Sequence, residues 1–267
     1  INNTAQDHKP LVLSAYHCQD LSQYGNITEW VNYFNYQTLT CTGTNGPSNK
    51  STIGATILAK NSADATNGSA FMLFQLSDTI PDSYKPYYAG WSRVDETPSV
   101  GACIHHPGGD YKKISLPRRY KVNRTFLSVA WFSGADNKGV TEQGSSGSAL
   151  FDGNKRIVGQ LMGGTSSCSF TEGNDLYGRV FSSWTGGGTA KTRLRDYLDP
   201  IGADVETLDG LDYNATGVTG ISEAEAEKIS LYPNPTTGMV YLDVPEMGMA
   251  NYKVFDMAGR CVKEGHS

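Results

Sequence analysis

Gly144-Ser145-Ser146-Gly147-Ser148-Ala149-Leu150 decides how the rest of the chain is read. Glycines on both sides of a serine let the backbone turn tightly and aim several N–H groups at one point, which an acyl-transfer oxyanion requires. The stretch then runs into a strand. Gly-Ser clusters by themselves are mostly loops, so the motif gains meaning only from a second one far upstream. Leu11-Val12-Leu13-Ser14-Ala15-Tyr16-His17-Cys18 is an apolar strand that ends on a histidine.

Brief β-rich runs fill the chain between and after these motifs: 10–16, 29–36, 51–60, 70–76, 99–105, 111–116, 124–132, 156–162 and 176–182. Gly, Asn, Asp, Ser and Pro separate most of them. A helix is expected over 189–198, where Leu194, Tyr197 and Leu198 fall at i, i+3 and i+4 before Pro200. Many strands and one terminal helix predict an all-β body. The composition agrees, with 30 glycines, 15 tyrosines and only 18% charged residues among 267.

The net charge of −5 comes from 22 basic and 27 acidic residues, with no basic block, and this argues against nucleic acid as a partner. The apolar run Phe71-Met72-Leu73-Phe74 is far shorter than the roughly 20 residues that cross a bilayer, so no membrane span is expected. Five cysteines without a C-x-x-C pair favour a secreted protein with one or two disulfides over a zinc ribbon. Cys18 and Cys41 are the expected pair, since the first follows His17 and the second closes a hairpin that returns beside it. Such a loop contributes about 3 kcal/mol. His105-His106 has no further ligand at metal spacing, and neither a metal nor another cofactor is assigned.

A histidine well upstream of Gly-x-Ser-Gly has the chain order of chymotrypsin-like serine proteases. Beyond order, the chain resembles the bacterial lysyl endopeptidases from Ile1 to about Gly210. The likeness is carried by His17-Cys18, Cys41, Ile104-His105-His106-Pro107, Gly144 to Ser148, Val158-Gly159-Gln160-Leu161, Gly163-Gly164, Ser166-Ser167-Cys168 and Tyr177-Gly178-Arg179-Val180-Phe181. Ser183-Trp184-Thr185-Gly186-Gly187-Gly188 completes it. The resemblance implies a two-barrel fold with a C-terminal helix, Ser146 as nucleophile and His17 as general base. The amides of Gly144 and Ser146 would form the oxyanion hole. It also implies Asp175 as the carboxylate of a lysine pocket, Gly163-Gly164-Thr165 as the edge that pairs with substrate, and Trp131 as an aromatic near the site.

Three departures stand out. Ala70, in Gly68-Ser69-Ala70-Phe71, occupies the place of the family's triad aspartate, and Asp64 lies six residues too early to replace it in register. An otherwise complete machinery reads as a protease silenced by an Asp-to-Ala change; a naturally inactive relative that binds lysine-containing peptides without cutting them is the alternative. Met162 stands where the family has a histidine. The family's first strand and its cysteines precede the position of Ile1 and are expected outside this sequence, which would leave Cys103 and Cys168 without mates.

After the helix the texture changes. Residues 1–208 read as the protease domain and 209–220 as a linker, while 221–267 read as a small or truncated Ig-like β-sandwich segment. Ile229 to Gly238, with Tyr232-Pro233-Asn234-Pro235, and Val254 to Arg260 resemble the sorting domain of type IX secretion cargo. That likeness implies the secretion machinery as a partner, a Gram-negative source and a secreted or cell-surface destination. A plain cell-surface adhesion module leaves His17 and Ser146 unexplained.

Overall fold

A computed structural model describes residues 1–20, 22, 25–40, 43, 46, 49–65, 67–132, 135, 137–215, 230–232, 241–243, 251–255 and 261–266. The chain divides into two compact units, Ile1–Gly217 and Val218–Ser267. Strands dominate the first, as the composition predicts.

Its N-terminal part is built from β1 (Leu11–Ala15), β2 (Val31–Tyr33), β3 (Ser51–Ile53), β4 (Ala55–Asn61) and β5 (Phe71–Leu76). β5 lies between β1 and β4, antiparallel to both, and β2 pairs with β3 as a separate hairpin. The unbroken apolar run of β5 follows from burial on both faces. Phe71 and Leu73 point into a core with Leu11, Trp91, Ile157 and Val180, whereas Met72, Phe74 and Leu76 point into another with Ala55. That is the two-residue strand period read twice. Each such side chain contributes about 1.5–3 kcal/mol.

The remainder comprises β6 (Tyr87–Tyr88), β7 (Trp91–Ser92), β8 (Gly101–His105), β9 (Lys113–Ser115), β10 (Pro117–Val122), β11 (Phe126–Trp131), β12 (Ala149–Asp152), β13 (Ile157–Gly164), β14 (Asn174–Arg179), β15 (Thr207–Leu208) and β16 (Leu211–Asp212). The larger sheet runs β10-β11-β14-β13-β12-β8-β9, and β7 attaches to β13 and β15. Leu127, Val129 and Trp131 alternate inward from β11 onto Leu150, Leu161 and Tyr177. β10, which the sequence reading passed over, is an edge strand carrying Arg118, Arg119 and Lys121 on exposed positions. Charge on an edge blocks pairing with a further strand.

Two expectations need correction. The run 176–182 is strand only to Arg179; it then becomes helix α1 (Val180–Thr185), which puts Val180 and Trp184, four residues apart, into the same core. The helix expected over 189–198 is a single turn, α2 (Arg195–Leu198), although Leu194 and Leu198 are buried as their spacing requires. The stretch of linker composition begins on a paired strand, since β16 joins β6.

In the second unit, Ser230–Tyr232 pairs with Tyr241–Asp243, and Asn251–Phe255 pairs with Cys261–His266, both antiparallel.

Candidate active site

β1 ends in a 3-10 turn, Tyr16–Gln19, that carries His17 and Cys18. The Tyr16 N–H donates to the Ala70 carbonyl at 2.7 Å, so the residue before β5 is tied to the residue before His17. Ala70 is buried and left-handed, with φ 54°. Left-handed backbone is costly for alanine and several-fold enriched in Asp and Asn. Behind it, the Ser69 hydroxyl meets that of Ser183 at 2.6 Å, and Gln160 Nε2 donates to the Ser69 carbonyl at 2.8 Å. Asp64 is exposed on the turn that leads to Ala70.

The serine motif forms two consecutive tight turns, with Ser145 N–H donating to Glu142 O and Ser148 N–H to Ser145 O, each at 3.0 Å. Gly144 and Gly147 take φ of 89° and 83°, which the flanking glycines permit. Gly144 also sits so close to the 106–109 turn that a Cβ there would approach Gly108 N at 3.0 Å. β13 pins the far side, through Gly147 N–H to Leu161 O at 2.8 Å. Among the described residues, the amides of Gly144 and Ser146 have no acceptor.

His17, Ser146 and Gly144 line one cleft of about 530 Å³, together with Cys18, Trp30, Val31, Asn32 and Gln143. Desolvation against the cleft wall lowers the pKa of His17. Cys18 is a free thiol with its Sγ 4.0 Å from the Ser146 carbonyl, and burial raises its pKa. The expected Cys18–Cys41 disulfide is therefore not formed: the Cys18 sulfur packs against the nucleophile turn. Cys41 itself lies outside the described residues.

Asp175 is buried on β14 opposite Gly164 of β13. Trp131 Nε1–H donates to its Oδ2 at 2.6 Å, the Thr141 hydroxyl at 2.5 Å, and the Ser166 hydroxyl as well; the Ser166 amide reaches Oδ1 at 3.3 Å. Among the described residues no ion pair engages this carboxylate. A side chain at Gly164 would run into Asp175 Oδ1, so glycine keeps this strand clear. Gly163 has open space where a Cβ would stand, and Thr165 pairs with Asn174. Trp131 thus holds the carboxylate rather than stacking on a partner ring. Thr141 and Ser166 do the same work; Ser166 entered the sequence reading only as part of Ser166-Ser167-Cys168, with no role at Asp175, and Thr141 not at all, since hydroxyl residues beside glycine-rich turns look like any others.

Residues 1–178 match the family model described as lysyl endopeptidase, C-terminal domain, and residues 230–267 match the secretion system C-terminal sorting domain. A lysyl endopeptidase of Pseudomonas aeruginosa is 33% identical over 180 residues, which cover 63% of this chain and 37% of that protein. The chain therefore spans little more than a third of that relative's length. Among solved structures, a Glu endopeptidase in complex with MPD aligns with TM-score 0.41 at 16% identity, covering 64% of this chain and 76% of the other. The Rv3671c protease from M. tuberculosis, active form, aligns with TM-score 0.35 at 17% identity, covering 55% and 62%. The C-terminal match marks the chain as cargo of type IX secretion, and so as secreted or cell-surface. From Ile1 to Gly178 the chain belongs to the lysyl endopeptidase C-terminal domain family, a family of serine proteases.

Proposed function

We propose that the protein is a secreted endopeptidase that cleaves after lysine through an acyl-enzyme, with its activity strongly reduced by Ala70. One observation carries the reading: Asp175 is a buried carboxylate without a counter-cation among the described residues, set behind the glycine strand. It is joined through Thr141 to the segment that leads into the serine turn. Burying an unpaired charge costs several kcal/mol, so a site that retains one is suited to a ligand that brings the opposite charge. A long apolar stem ending in a compact ammonium fits; a planar guanidinium fits less well.

In the reaction, Ser146 Oγ attacks the carbonyl carbon of the lysine residue itself while His17 takes the hydroxyl proton. The free amides of Gly144 and Ser146 hold the oxyanion. The C–N bond then breaks as His17 gives its proton to the leaving amine. Water, deprotonated by the same imidazole, attacks the ester and releases the new carboxyl group, and the proton returns to Ser146.

Ala70 offers no carboxylate to fix the His17 tautomer or to stabilise the imidazolium. In the Ser-His-Asp template, changing the aspartate only to its amide lowers kcat about 10⁴-fold. The same alanine favours a second reading, a pseudoprotease that holds lysine-containing segments without cutting them. Ala70→Asp separates the two. The endopeptidase reading expects kcat on a lysyl amide to rise by about 10³ to 10⁴, and Ser146→Ala to remove the gain. Background hydrolysis from an Ala70→Asp protein that is folded by circular dichroism would replace it with the binding reading.

A further inference from the structure

His105, the last residue of β8, is buried and uses both ring nitrogens. Nδ1 lies 2.8 Å from Ser145 Oγ and Nε2 lies 2.9 Å from Ser115 Oγ. Ser115 Oγ is also 3.1 Å from the Val140 carbonyl. A carbonyl only accepts, and a hydroxyl has one proton to give, so Ser115 donates to Val140 and must accept from Nε2–H. A neutral imidazole carries one N–H. Nδ1 is therefore the acceptor, the Ser145 hydroxyl donates to it, and Ser145 Oγ in turn accepts the Glu142 N–H at 3.3 Å. The hydrogen bonds run in one direction from Glu142 N–H through Ser145, His105 and Ser115 to Val140 O.

We infer that His105 is a positioning residue for the nucleophile: as its Nε2–H tautomer it clamps Ser145, and through it the turn that presents Ser146 and the amides of Gly144 and Ser146. The inference rests on Ser146 being the nucleophile. Its other arm ends at Val140, next to Thr141, whose hydroxyl supports Asp175. One buried ring thus spans the two halves of the proposed site. Burial lowers the His105 pKa to about 4, helped by His106 and opposed by Asp175 and Glu142. The ring stays neutral through the pH range in which His17 has to act as a base. A proton added at Nδ1 would displace the Ser145 proton from its acceptor and break the chain of bonds at the nucleophile end.

Two amide substitutions cut the two arms separately. The Asn side-chain oxygen reaches the place of Nδ1 and still accepts from Ser145, whereas the Gln side-chain nitrogen reaches the place of Nε2 and still donates to Ser115. In the Ala70→Asp protein, His105→Gln is expected to lower kcat by about 10- to 100-fold with KM nearly unchanged, because the reacting oxygen is displaced. His105→Asn should keep kcat within about 3-fold of the parent. A residue that serves folding alone would make the two variants lose activity alike, and equal kcat values, whether high or low, overturn the inference. Nitrogen-15 NMR of the unsubstituted chain gives a second readout: His105 protonated at Nε2 supports the assignment, and protonation at Nδ1 overturns it. Should Ala70→Asp show no hydrolysis, the endopeptidase reading falls. Labelling of Ser146 by a fluorophosphonate in the unsubstituted chain then makes the same comparison. His105→Gln reacting more slowly than His105→Asn by the same factor supports positioning; equal rates, or no labelling of any form, overturn it.

Discussion

Replacing Asp175 by asparagine sets two effects against each other, and the structure separates them. Oδ2 collects the Trp131, Thr141 and Ser166 side-chain donors, while Oδ1 receives only the Ser166 amide. An asparagine will keep its oxygen at the three-donor position and turn its NH₂ toward the Ser166 N–H, leaving one donor facing another. Hydrogen bonds to a charged acceptor exceed neutral ones by about 1 kcal/mol each, so three weakened bonds cost about 3 kcal/mol. Removing a buried charge that has no cation beside it among the described residues returns a comparable amount. The two cancel, and the unsatisfied donor pair remains, so stability should fall by about 1–3 kcal/mol.

Substrate selection has no such offset. On the proposed reading, a lysyl ammonium brought beside position 175 of the Asp175→Asn protein would be desolvated without a counter-charge, a loss of about 3–5 kcal/mol. At 1.36 kcal/mol per decade this is roughly a 10²- to 10⁴-fold fall in kcat/KM for a lysyl amide. A methionyl amide, which brings no charge, should lose less than about 10-fold. The assay is kcat/KM for both substrates in the Ala70→Asp protein with and without Asp175→Asn, alongside urea denaturation. Equal losses on the two substrates would refute the reasoning and make Asp175 a structural acceptor for Trp131, Thr141 and Ser166.

A Cβ at Gly178 would run into the Ser69 carbonyl and Gln160 Nε2, directly behind Ala70. Gly178→Ala should cost at least about 3 kcal/mol in urea denaturation, and an unchanged midpoint would show that the Ser69 backbone yields freely. Acid should destabilise the fold between pH 6.5 and about 4. An unfolded histidine takes a proton near 6.5, whereas folded His105 resists until about 4 and His17 is also lowered. The unfolded chain then binds more protons, so stability rises with pH across that window by up to about 1.4 kcal/mol per pH unit for each such group. Urea midpoints that stay flat from pH 4 to 6.5 would contradict buried neutral His105.

The sequence carried what depends on period and on backbone need. β5 and β11 were readable from their apolar runs, and the turns around Ser146 from Gly144 and Gly147, whose positive φ values few other residues adopt. It could not carry what depends on partners distant along the chain. Asp175 gathers donors from residues 131, 141 and 166, and nothing local marks Thr141 or Ser166 as its ligands. His105 and Ser145 lie 40 residues apart, so adjacent histidines in Ile104-His105-His106-Pro107 gave no sign that one was a buried bridge. The Arg-rich β10 hid because an edge strand carries charge that strand propensity discounts, and α1 hid because its first turn shares the apolar texture of the strand it continues.

Ala70 is where sequence and backbone speak to each other most directly. Its φ of 54° costs an alanine roughly 1–2 kcal/mol, yet its carbonyl holds the Tyr16 amide and its neighbour Ser69 is fixed by Ser183 and Gln160. The surroundings thus impose a conformation that suits aspartate or asparagine on a residue that gains nothing from it. The backbone beside His17 is held in a form that suits aspartate, so the loss of activity proposed for Ala70 would lie in the side chain rather than in the fold. A carboxylate introduced at position 70 should therefore enter a backbone that already accommodates it, and Ala70→Asn, which supplies the left-handed preference without the charge, should raise stability while leaving hydrolysis low.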